Sequence, residues 1–127
     1  MMSITLETLG TVLALALVVA GLVALLFPKP MSHAYGAPVE GEAGYGFVRA
    51  SGVRDLLIGA VLAFAVATRD VPMIAVFAGA GLALAVADFV IAYHAGGRRL
   101  HLAHAVHAAG AVAFVLMLAM ALFAIGK

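Results

Sequence analysis

Cysteine is absent from the 127 residues, and only 10% of them carry a charge. Without cysteine there are no disulfides, no thiolate metal sites and no dithiol redox chemistry. Soluble domains carry roughly a quarter charged residues, so this chain has too little polar surface to face water. A net charge of +1 supplies no basic field, so no nucleic acid is expected as a partner. The N-terminus, "MMSITLETLG", lacks the basic stretch of a signal peptide and carries Glu7 instead. The apolar run behind it is long for such a peptide and reads as a retained helix. Hydrolytic motifs are missing as well. Ser3, Ser32 and Ser51 stand in no nucleophile elbow, and neither a glycine-rich phosphate loop nor His-Glu-x-x-His occurs.

What is present is apolar: 66% hydrophobic residues and a mean hydropathy of +1.20. A bilayer span needs roughly 20 such residues, and four runs qualify, at about 8–27, 47–68, 72–93 and 100–126. The expectation is an all-α integral membrane four-helix bundle in one domain, with the lipid bilayer as its main partner. "FPKP" closes the first helix and Pro72 opens the third, where a missing N–H does no harm. Short connections at 69–71 and 95–99 make the last three helices antiparallel neighbours. Residues 28–46, rich in glycine, proline and glutamate, read as an interfacial loop.

Small residues recur at helical steps through "GVRDLLIGA" and just beyond it, as Gly52, Asp55, Gly59 and Ala63, and again as Ala78, Gly81, Ala85, Asp88 and Ala92. Such stripes let membrane helices approach closely. Lys29, Arg49, Arg54, Arg98 and Arg99 fall on one side, Arg69 and Lys127 on the other. The positive-inside rule then puts both termini outside the cytoplasm, in an inner (plasma) membrane.

Several charges fall too deep for loops. From the turn at Arg69, Asp55 lies only ~20 Å along a helix and Asp88 ~24 Å, inside a hydrocarbon core of ~30 Å. His104 and His107 lie ~6–11 Å from the Gly96–Gly97 turn, and Asp88 ~10 Å from it. Arg54, Asp55, Asp88, His104 and His107 are therefore expected to share one layer. Ionisable groups at that depth face the interior and pair. Arg54 and Asp55 leave their helix about 100° apart, so Asp88 is the expected partner of Arg54, and a histidine that of Asp55 or Asp88. Two plainer readings compete: Arg54 snorkelling to the interface, and an ion pair that only fixes helix register.

"HLAHAVHAAG" spaces His101, His104 and His107 by threes, with His94 close by and His33 in the long loop. The two steps drift over ~120° of the helix, an awkward set for one ion. No metal is assigned and the cofactor is left open. A proton-handling role for His104 or His107 beside Asp88 fits histidine chemistry better.

Read together, "AYGAP", "GFVRASGVRDLLIGA", "ADFVIAYHAGG" and "HAVHAAGA" resemble a family of small bacterial four-helix membrane proteins, domain of unknown function 4267. The matching positions are Gly52, Arg54, Asp55, Gly59, Asp88 and His107, within about 31–115. The resemblance implies the same polar layer and brings no activity with it.

The leading expectation is a pocket for a small lipophilic or amphipathic ligand, formed by Arg54, Asp55, Asp88, His104 and His107. In it Arg54 holds an acceptor, while Asp88 and His107 exchange a proton. Whether a reaction follows is left open. The alternatives are a proton-coupled transporter acting as a homo-oligomer through Asp88, a haem or metal protein using His94, His104 or His107, and a structural scaffold.

Overall fold

The computed structural model describes residues 2–100 and 102–127; His101 lies outside the described residues. Five helices follow in order: α1 (Ile4–Leu26), α2 (Pro28–Ala34), α3 (Gly41–Ala67), α4 (Val71–Ala95) and α5 (Leu102–Ile125). All except α2 are long and apolar enough to cross a membrane.

The ends of the helices differ from the sequence reading for local reasons. α1 starts at Ile4, not near residue 8, because Ser3 caps it: the Ser3 hydroxyl accepts from Leu6 N–H at 3.2 Å. Thr8 and Thr11 then satisfy themselves on carbonyls one turn back, at 2.9 and 2.8 Å, so neither interrupts the helix. The expected loop at 28–46 is mostly helix. Pro28 both ends α1 and opens α2, since a proline at the first helical position has its φ already set. The turn that follows is knotted by Ser32, whose hydroxyl donates to the Lys29 carbonyl at 2.8 Å and accepts from Val39 N–H at 3.4 Å. α3 then begins six residues earlier than expected. Its 27 residues extend ~40 Å, longer than a ~30 Å hydrocarbon core. The surplus carries the exposed Glu42–Arg49 pair, 3.3 Å apart. At the opposite end Asp70 caps α4 by accepting from Met73 N–H at 3.0 Å.

α1 packs chiefly along α3, and α4 along α5, while the sequence neighbours α3 and α4 touch over a much shorter stretch. Glycines bring the first pair together. A Cβ on Gly21 would stand 2.6 Å from the Gly52 carbonyl, and one on Gly59 would stand 2.9 Å from the Ala14 carbonyl. Here the backbones themselves are in contact, which glycine alone allows. In the second pair Gly81 makes room for the Phe114 ring. Leu6, Leu62, Val66, Ile74, Ala78, Phe114 and Met117 close the end of the molecule near the Arg69 turn into an apolar core. Leu15, Val19, Phe64, Val76 and Leu116 face outward, as lipid-facing positions do.

Candidate functional site

The opposite end of the molecule is polar. Arg54 on α3 reaches across to Asp88 on α4 as a two-pronged fork, Nη1 donating to Oδ1 at 3.2 Å and Nη2 to Oδ2 at 2.9 Å. Nε and Nη2 also donate to Asp55 Oδ1, at 3.0 and 2.9 Å. The Arg54–Asp88 pair matches expectation; the Arg54–Asp55 pair corrects it. The 100° between adjacent positions separates only the Cα–Cβ directions, and the long arginine stem bends across that angle.

A second correction concerns the remaining oxygen of Asp55. It accepts from the Tyr35 hydroxyl at 2.9 Å, not from a histidine. Tyr35 closes α2, and its place in the sequence predicts no role for it. Burial, and then the nearby Asp55 carboxylate, push its phenol well above the ordinary tyrosine range. The hydroxyl therefore stays protonated and acts as a donor. Gly36, at φ +77°, turns the chain directly after it and sits so tightly that a Cβ would lie 2.8 Å from Ala103 and 3.2 Å from Ala92. That wedge between α4 and α5 fixes where Tyr35 stands. The only hint in the sequence was "AYGAP", a tyrosine beside a turn glycine.

His107 on α5 is brought to the cluster, but through the backbone: its Nε2 lies 3.1 Å from the Tyr35 carbonyl. A carbonyl only accepts, so Nε2 carries the hydrogen, and in the neutral ring Nδ1 is the acceptor. His104 is buried elsewhere on α5, edge-on to the rings of Phe89 and Tyr93 at centroid distances of 5.3 and 6.2 Å. His94 packs against Tyr93 in the last turn of α4, and His33 lies in the last turn of α2. Among the described residues no three His, Cys, Asp or Glu side chains are grouped to hold a metal ion.

Two half-open clefts flank the cluster, each of about 240 Å³, and Tyr35, Arg54, Asp88 and His107 line both. The near cleft lies beside the start of α3, walled by Val39, Phe47, Ser51 and Ile91. The deep cleft runs toward the middle of the long helices, walled by Leu17, Ile58, Leu84 and Phe114. Asp55 has only 9% of its side chain exposed, against 26% for Asp88 and 31% for Arg54. Asp55 thus anchors the cluster while Asp88 and Arg54 are reachable from the clefts. An arginine has five N–H donors, and Arg54 spends four on the two carboxylates.

Fold and site together define an all-helical protein with four apolar helices suited to a bilayer and a polar cluster at one end. The family model described as Domain of unknown function (DUF4267) matches residues 14–122, and the chain belongs to that family. Neither the curated proteins nor the solved structures contain a match to it.

Proposed function

We propose that this multi-pass membrane protein binds a small amphipathic molecule at the polar cluster, with Arg54, Asp55, Asp88 and His107 as the polar end of the site. One observation carries this reading: two apolar clefts, each about 240 Å³, end on the same four polar side chains, Tyr35, Arg54, Asp88 and His107, and Asp55 lines one of them. Convergent polar groups on apolar walls are the usual make-up of a small-molecule site. At about 240 Å³ each, the half-open clefts are of a size to take a small molecule or the polar end of a larger one. In this reading His104 has a packing role, holding α5 against α4.

The test is the cargo of the protein itself. Native mass spectrometry of the wild-type chain should release a small molecule at near one-to-one ratio, and Asp88→Asn should carry markedly less. Wild type and variant that both release only bulk lipid, in equal proportion, would refute the reading.

The orientation we propose keeps Lys29, Arg49, Arg98 and Arg99 in the cytoplasm and both termini outside an inner (plasma) membrane. Because the chain has no cysteine, a single cysteine at Gly97 or at Ser3 can be labelled alone. An impermeant maleimide on intact cells should reach Ser3→Cys and spare Gly97→Cys; the reverse pattern would invert the topology.

A further inference from the structure

We infer that the occupant presents a cation, an ammonium group on a small apolar body, to Asp88. The inference rests on the cleft reading above and deepens it. Its basis is charge and donor bookkeeping within the cluster. Two carboxylates, Asp55 and Asp88, meet one guanidinium. Tyr35 adds a neutral hydroxyl that donates to Asp55, and His107 donates to a backbone carbonyl. Counted over the two carboxylates and the guanidinium alone, the cluster holds one negative charge in excess. α1 contributes only Leu17 and Ala20 to the clefts, so no further cation arrives from that side.

Donor capacity points the same way. Arg54, the natural grip for an anion or a carbonyl, has one N–H left. Asp88 is partly exposed and lines both clefts, so its carboxylate charge is open to a cation there. An anionic ligand would have to displace Asp88 from its two bonds to Arg54. A cationic one completes the charge balance and leaves those bonds in place. The rings of Tyr35 and Phe47 line the near cleft, and aromatic surface favours a desolvated ammonium.

Three probes of similar size separate the possibilities: benzyltrimethylammonium, its neutral carbon isostere neopentylbenzene, and benzenesulfonate. Each is measured by equilibrium dialysis against the full chain in dodecyl maltoside, with protein-free micelles as blank. The expected result is a cation bound at least about tenfold more tightly than either other probe, the size of effect that one charge pair supplies. Asp88→Asn should lose that preference while still taking up neopentylbenzene, and Asp88→Glu should keep it. Should Asp88→Asn fail to fold, the wild-type comparison alone decides. Neopentylbenzene bound as well as the cation would overturn this inference, leaving a proton as the counter-charge and the cleft reading intact. Preference for benzenesulfonate would overturn it too. Binding of none of the three would remove the clefts as a ligand site altogether. Glycerophosphocholine, with the same trimethylammonium beside a phosphate, separates the sources. If it displaces the bound cation, the ammonium belongs to a lipid headgroup; if it does not, to a free amine.

Discussion

α3 shows opposite solutions on two of its faces at nearly the same height. Toward α1 it offers Gly52, and the two backbones close until no Cβ fits between them. Two residues on, it sends Arg54 toward α4, where the helices stand apart and charged side chains bridge the gap. The first junction is held by dispersion between close-packed backbones, as is usual where lipid removes the hydrophobic drive for helix association. The second is held by charge-assisted hydrogen bonds in a low dielectric. If stability were all that mattered, small residues would serve at both junctions. A gap propped open by charges leaves clefts that a glycine seam cannot, and in the reading proposed above the difference separates the part that holds the fold from the part that receives a molecule.

The largest effect should come from filling the seam. Gly52→Val places new atoms within 2.8 Å of Ala24 and of the Gly21 carbonyl, neither of which can move aside. Overpacking of this kind costs about 3 kcal/mol or more, and loss of the folded species on size-exclusion chromatography or of the thermal transition would report it. Gly79→Val, on α4 with open space around it, is the control and should leave the melting profile unchanged. Equal melting of the two variants would remove the distinction between seam and open face.

Next in size is Arg54→Ala. It leaves Asp55 and Asp88 charged and unpaired, and breaking one side of a buried ion pair costs about 3–5 kcal/mol; partial exposure of Arg54 places the effect at the lower end. Arg54→Lys should recover only part of it, because an ammonium cannot reproduce the fork to both carboxylates. Asp88→Asn should cost less, about 1 kcal/mol or under, since Arg54 keeps Asp55 and the charges then balance. Chemical denaturation in mixed micelles would rank the three. Asp88→Asn as damaging as Arg54→Ala would make the outer carboxylate a structural part of the junction.

The four long helices are legible in the sequence because bilayer thickness imposes a length that apolar runs reveal. The depth of Arg54 and Asp88 is legible for a related reason: with a fixed rise per residue, a short turn at Arg69 serves as a common origin for both helices. That ruler fails for Tyr35, which sits beyond a proline and on no long helix, so nothing in its position marks it as a partner of Asp55. It fails again for α1. The glycine spacing in "GVRDLLIGA" marks a close-contact face, yet a connection as long as 27–40 says nothing about which helix fills it. The bend of Arg54 back to Asp55 is not legible, because helical spacing gives the direction of a Cα–Cβ bond and not the reach of a long side chain.

The most specific effect belongs to Tyr35→Phe. It keeps the ring and removes one hydrogen bond to a carboxylate, a loss of about 1.5–3 kcal/mol for a charged acceptor, reduced here because Arg54 continues to hold Asp55. The pH dependence carries the signature. The phenol titrates higher in the folded chain than in the unfolded one, because burial and Asp55 both oppose its ionisation. Below the ordinary tyrosine value of about 10 both states hold the proton, and the advantage of wild type over Tyr35→Phe should be constant. Above it the unfolded chain releases the proton while the folded chain retains it, so the advantage should shrink as pH rises. Denaturation of both proteins between pH 7 and pH 11 would show the two curves converging only at the alkaline end. Curves that stay parallel throughout would mean that Tyr35 is solvated like any surface phenol and is not held against Asp55.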